Sequence, residues 1–214
     1  MFQGKTLWQI FSMGGFTMYI LLICSILSVT FIIERFLKYR LKSKLKRADF
    51  MSKIKQTLKT SGMDVAIKLC ETYDTPISNV VHSGIKLYQK PEKEISNSME
   101  REITIETISL ERNTSIVGTI GNITVYIGLF GTVLGIIRSF HDISRLGAGG
   151  MNVVIGGVSE ALICTATGLL VAIPSVIAYN YFVKKIDNFV NEMDICASET
   201  IDITGSIKTG TLNK

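Results

Sequence analysis

The chain has 214 residues, of which 47% are hydrophobic and 19% charged, with a formal net charge of +5. Its apolar residues fall in long blocks, so a mean hydropathy of +0.33 excludes both an ordinary soluble domain and a disordered, charge-rich chain. Nucleic acid is excluded as a partner as well, because the basic residues are massed in one segment and are not spread over a binding face.

The first apolar window, Thr6–Ile33, carries no charge, and neither does the second, Ile116–Ile137. The third, Met151–Val183, holds Glu160 as its single charge. Each window reaches the roughly 20 residues needed to cross a hydrocarbon core about 30 Å thick. A secretory signal is the alternative for the first window. It ends in Ile32-Ile33-Glu34-Arg35 without a small-residue cleavage site, so it is expected to be a retained helix. Trp8 in the preceding segment 1–14 fits an interfacial anchor, and the first span is expected over 15–34.

Arg35, Lys38, Arg40, Lys42, Lys44, Lys46, Arg47, Lys53, Lys55 and Lys59 follow, with Asp49 the only acid among them. This positive-inside pattern assigns residues 35–115 to the cytoplasm and makes anionic lipid headgroups a natural partner. Phe50, Ile54 and Leu58 recur at helical spacing, as Val65, Ile67 and Leu69 do more loosely, and Pro76 and Pro91 punctuate the region. After Pro91 an apolar stripe (Ile95, Met99, Ile103, Leu110) is expected, with Glu100, Glu102, Glu106 and Glu111 mostly off it. No proline intervenes from Glu92 to Phe140, so one continuous helix of about 70 Å is expected.

The second span is expected over 116–140 and a periplasmic turn over 141–151, rich in glycine at Gly147, Gly149 and Gly150. The third span follows over 152–183, and a cytoplasmic tail over 184–214 reads as mobile from Gly205. These assignments set the N-terminus in the periplasm and the C-terminus in the cytoplasm. The fold class is an all-α membrane protein: three transmembrane helices with long cytoplasmic helical extensions.

Glycines at 121, 128 and 135 repeat at seven-residue spacing, and Gly131 with Gly135 forms a G-x-x-x-G pair. In lipid, small residues let helix backbones approach closely. Ala161, Thr165, Gly168, Ala172 and Ser175 form a matching small-residue stripe on the third span, either within the subunit or between copies. Pro174 removes a helix hydrogen bond and is expected to bend that span.

A charge at mid-membrane costs about 2.5–3.5 kcal/mol on insertion scales, which marks Glu160 as a functional candidate. Counted from the turn, Thr132 and Glu160 are expected at similar depth, where a hydroxyl can donate to a carboxylate or hold a water beside it. Thr165 lies about 140° round the helix from Glu160 at 3.6 residues per turn. From the residues alone two readings stand: a proton-path lining of Glu160, Thr132 and Thr165, or a structural carboxyl bonded across an interface or to Arg138.

The four cysteines form no C-x-x-C pair, and His82 and His141 fall on opposite sides of the membrane, so neither a metal nor another cofactor is expected. There is no P-loop, G-x-S-x-G or H-E-x-x-H either, and the chain is not expected to be an enzyme.

Gly128-Leu-Phe-Gly-Thr-Val-Leu-Gly-Ile-Ile-Arg-Ser-Phe140 and Gly157-Val-Ser-Glu-Ala-Leu-Ile-Cys-Thr-Ala-Thr-Gly-Leu-Leu-Val-Ala-Ile-Pro174, followed by Tyr179-Asn180, resemble the ExbB/TolQ/MotA proton-channel family. Arg47-Ala48-Asp49-Phe50 is similar to the stretch after the first span in ExbB and TolQ, while Leu134 stands where many relatives carry tryptophan. The resemblance implies a ring-shaped homo-oligomer, a pentamer, around two single-span partners of the ExbD/TolR type. A partner's membrane aspartate would carry the proton, and a TonB/TolA-type protein would receive the motion. It maps the family's polar lining onto Thr132, Glu160 and Thr165, in a cell inner membrane. An ExbB-like subunit driving TonB-dependent transport is the expected function. A TolQ-like role in envelope integrity, a motility stator and a scaffold without an ion path are the alternatives.

Overall fold

A computed structural model describes residues 15–43, 45–146 and 151–209. Trp8, segment 1–14, Gly147, Gly149, Gly150 and the last five residues of the expected tail lie outside the described residues. Those described form seven helices: α1 (Gly15–Lys42), α2 (Arg47–Thr60), α3 (Met63–Thr72), α4 (Pro76–Ile85), α5 (Glu92–Glu111), α6 (Thr114–Leu146) and α7 (Met151–Lys208). Three of these, α1, α6 and α7, are long and apolar enough to cross a membrane.

The chain divides into two compact units. One joins the residues through Glu34 to Asn113–Tyr181, and the other joins Arg35–Arg112 to the residues from Phe182 onward. The first unit is a bundle built from α1, α6 and the first part of α7. Its outward side chains are apolar, including Ile23, Ile26, Phe130, Leu162 and Leu170. Inside it, Ser28 Oγ and Ser175 Oγ share a hydrogen bond of 2.6 Å, and Thr17 Oγ1 lies 3.6 Å from Cys164 Sγ. Both pairs span the same sequence separation, 147 residues, as two parallel helices in constant register require. Helix α6 runs antiparallel to α7, with Gly118 against Tyr179, Gly121 against Ser175 and Val176, Gly128 against Thr165 and Gly168, and Gly135 against Ala161.

The expected continuous helix from Glu92 to Phe140 is broken. Helix α5 stops at Glu111, α6 starts at Thr114, and Asn113 between them has φ 64°. Asparagine visits the left-handed region more readily than most residues, and Asn113 Nδ2 donates to Glu34 Oε2 at 3.3 Å. At its other end α6 continues to Leu146, beyond the expected limit of Phe140. Helix α7 runs through Pro174 without interruption and on to Lys208, so residues 205–208 are helical and not tail.

The second unit has a core of Phe50, Met51, Ile54, Cys70, Ile77, Val81, Ile85, Cys196 and Ile203. Val80, Ile95, Met99 and Met193 form a second cluster. Helix α4 begins at a capping box in which Thr75 and Ser78 satisfy each other's backbone N–H groups and Pro76 fills the first turn. Val65, expected on a packed stripe, is exposed, and Ala66 and Cys70 bury that helix instead. Glu106 is also not on the solvent side of α5. It is buried, 3.0 Å from Lys42 Nζ, and accepts from Asn79 Nδ2 at 2.7 Å. Burial and the neighbouring Glu106 push the Glu102 carboxyl up, with His82 opposing.

Candidate functional site

Glu160 lies on α7 and lines a cavity of about 560 Å³ in the bundle unit. The cavity exists because small residues keep the helices slim at this level: Gly15 on α1, Gly131 and Gly135 on α6, Gly156, Gly157 and Ala161 on α7. Its polar lining is Thr17, Arg138, Ser139, Asp142 and Glu160. Ser139 donates its hydroxyl to Gly135 O at 2.9 Å. A Cβ added at Gly157 would sit on the Ser139 hydroxyl, so a side chain there would close the cavity wall. Asp142 Oδ1 lies 3.7 Å from His141 Nδ1. Glu160 and Arg138 both line the cavity, but among the described residues neither has a hydrogen bond or an ion pair.

Thr132 does not share this cavity. It is buried, and its hydroxyl donates to Leu129 O on its own helix at 2.6 Å. The packing of Gly131 on Cys164 and of Gly135 on Ala161 makes Thr132 level with Cys164 and Glu160 level with Gly135. The expected common depth of Thr132 and Glu160 is therefore off by about one helical turn, roughly 5.4 Å. The cause is the extra length of α6 before the connection, which shifts the antiparallel register.

Thr165 faces α6, where its hydroxyl donates to Gly128 O at 3.2 Å. Glu160 and Thr165 accordingly look in different directions from one helix. Gly121, Gly128, Gly131 and Gly135 all sit where a Cβ would fall within 3 Å of α7 or α1. Ala161, Gly168 and Ser175 meet α6 from the other side, and Ala172 is buried on the same helix. Helices held this closely allow interhelical contact between backbones, which replaces the hydrophobic effect as the source of cohesion in lipid.

Sequence reasoning did not single out Thr17, Ser139 and Asp142. Asp142 follows Arg138 by four residues, which puts both on one helix face, and that spacing was the available signal. Among the described residues no group of three or more His, Cys, Asp or Glu gathers closely enough to hold a metal ion.

Three membrane-length helices around a partly buried carboxylate in a polar cavity define a multi-span membrane protein with a candidate ion site. The model of the MotA/TolQ/ExbB proton channel family matches residues 72–195, more than half of the chain, and the chain belongs to that family. It is similar to the biopolymer transport protein ExbB of Pseudomonas putida, 25% identical over 164 residues, covering 77% of this chain and 50% of that protein. It is also similar to the Tol-Pal system protein TolQ of Pseudomonas aeruginosa, 33% identical over 137 residues, covering 59% of each. To TolQ of Haemophilus influenzae it is 39% identical over 102 residues, covering 44% of this chain and 43% of that protein. The chain thus spans about half the length of these curated relatives.

Proposed function

We propose that this chain is the ring-forming proton-channel subunit of an inner-membrane motor of the ExbB kind. It works with an ExbD/TolR-type single-span partner whose membrane aspartate carries protons, and it energises TonB-dependent transport across the outer membrane. Five copies form the ring. Residues 1–14 and 141–151 face the periplasm, segments 15–34, 116–140 and 152–183 cross the membrane, and 35–115 and 184–214 lie in the cytoplasm. Exposed basic residues after the first span, such as Arg40, rest against anionic headgroups, whereas Arg35 is buried and Lys42 and Arg47 pair with Glu106 and Glu199.

The observation that carries this reading is Glu160, a carboxylate lining a polar cavity inside a segment matched by a proton-channel family. An intramembrane carboxylate of this sort is kept for a pathway or a pairing, and within the described residues it has no pair. Glu160 lines the path, and Thr132 and Thr165 furnish hydroxyl oxygens along the seam. The glycine and alanine seam holds the helices together, and Pro174 bends α7. The TolQ match at 33% identity favours a second reading, in which the same motor serves a Tol-Pal system.

The test pairs Glu160→Gln with Thr165→Val in energy-dependent substrate uptake by cells, with ring assembly measured in parallel. Uptake is expected to fall at least tenfold in Glu160→Gln with assembly intact, and to weaken in Thr165→Val. Full uptake in both variants would sink the proton-path reading, and loss of assembly would assign the residues to structure. The neighbouring genes separate the two systems: an outer-membrane receptor points to TonB-type transport, a Pal-type lipoprotein to envelope integrity.

A further inference from the structure

The seven-residue glycine repeat of α6, at 121, 128 and 135, meets an aspartate at its next step, Asp142. Seven residues are nearly two full turns, so Asp142 lies about 10 Å beyond Gly135 on the α6 face that packs against α7. Glu160 is level with Gly135, and both carboxylates line the same cavity of about 560 Å³. Arg138 is the third charged residue in that lining, and it falls between the two carboxylates along the helix axis. Helix α1 adds only Gly15, Phe16 and Thr17. Asp142 also reaches solvent. Its side chain is 44% exposed and lies 3.7 Å from that of His141, which is 63% exposed, one turn before α6 ends at Leu146.

We propose that Asp142 is a second proton-exchanging carboxylate of this cavity and loads Glu160 through cavity water. The proposal rests on the reading of the cavity as an ion path and names the group that feeds it. Arg138 makes such a group necessary, because a guanidinium stays charged and repels a proton as it repels any cation. Asp142 offsets that repulsion: one unit charge about 10 Å away changes the occupancy of another roughly fifteenfold at an effective dielectric near 20. The same separation is several times the reach of a direct hydrogen bond, about 3 Å, so transfer runs through water. A volume of about 560 Å³ has room for a chain of molecules at roughly 30 Å³ each. The nearby hydroxyl cannot replace Asp142, since Ser139 gives its hydrogen to Gly135 O at 2.9 Å. In the transfer, a proton held on an Asp142 carboxyl oxygen passes to the adjacent water. Each water hands on one of its own, and the last binds a Glu160 oxygen. Asp142 is left ionised, and His141 or outside water reloads it, imidazole being a common proton shuttle.

The experiment uses the assembled complex, ring with partner, in proteoliposomes, with proton entry recorded by an internal pH-sensitive dye. Asp142→Asn is expected to slow entry about tenfold or more, and Asp142→Glu to keep most of the parent rate. MES, a buffer that does not cross lipid, is then raised in the compartment that residues 141–151 face. It is expected to restore much of the rate to Asp142→Asn by delivering protons in place of the lost carboxylate, and to leave Glu160→Gln as slow as before. A merely structural role for Asp142 would show no such rescue. Parent-like entry in Asp142→Asn, or slow entry that neither Asp142→Glu nor MES repairs, overturns the proposal. Where Asp142→Asn does not assemble, Asp142→Ser takes its place, and failure of both to assemble assigns Asp142 to structure and overturns it as well. A parent complex that passes protons no faster than its Glu160→Gln variant refutes the underlying ion-path reading instead. The two failures are thereby told apart.

Discussion

Gly168→Ala places one methyl group at the tightest backbone contact between α6 and α7. Its Cβ would lie 2.6 Å from the carbonyl oxygen of Thr124 and 3.1 Å from the Cα of Gly128. Ordinary contact begins near 3.4 Å, so the helices must separate by about 0.8 Å. Backbone atoms cannot rotate aside as a flexible side chain would. Overpacking of this kind costs about 1–3 kcal/mol. The separation also stretches the 3.2 Å bond from Thr165 to Gly128 O, worth about 1 kcal/mol. For chains of this size 1 kcal/mol corresponds to roughly 2–4 °C in Tm, so a fall of about 5–15 °C is expected. Thermal unfolding of the purified protein in mild detergent, followed by circular dichroism, gives the measurement. Gly205→Ala is the control. It lies inside α7, its Cβ would meet nothing within 4 Å, and alanine there is expected to stabilise by up to about 1 kcal/mol. A Gly168→Ala protein melting within a degree of the parent would refute the close approach of α6 and α7 at this point.

Two further outcomes are expected. A double-mutant cycle on Ser28→Ala and Ser175→Ala should give a coupling of about 0.6 kcal/mol, and not above roughly 1.7, the range for interhelical bonds in lipid; strict additivity would mean that the 2.6 Å bond contributes nothing. Burial pushes the Cys70 and Cys196 thiols up to about 12, with Glu71 and Glu199 respectively adding to the rise. Since the thiolate is the reactive form, labelling by maleimide at pH 8 should be roughly a thousandfold slower than for a free cysteine, and should recover on unfolding. The sign of the linkage is fixed by the raised values. As pH climbs from 9.0 toward about 12, the unfolded chain ionises while the folded one does not, so stability is full below that window and declines through it.

The three spans were legible because lipid demands long apolar windows, and a lone charge inside one stands out. The seam was legible for a related reason, since glycine at seven-residue spacing has little other use in a membrane helix. The depth of Thr132 was not, because a glycine-rich connection leaves helix ends undefined and α6 outran its expected limit by nearly two turns. The break at Asn113 left no proline or glycine as a sign, only a residue that tolerates positive φ. Glu106 looked like a surface charge since its partners, Lys42 and Asn79, stand 64 and 27 residues away. Pairings across such separations are written in the fold and not in the local pattern.

The hydroxyl groups of the bundle have one more consequence. Thr124, Thr132, Ser139, Thr165 and Thr167 each donate their single O–H to a backbone carbonyl, within their own helix or, for Thr165, across to α6. A hydroxyl with its hydrogen committed in this way offers only lone pairs to whatever lies beside it. Neighbouring waters must point their hydrogens at the helices, so a water file here would be polarised before any proton arrives. The threonines can steady such a file, but they cannot pass a proton along it without first releasing the carbonyl. A row of acceptors is also as hospitable to a metal cation as to water, so the seam by itself cannot tell the two apart.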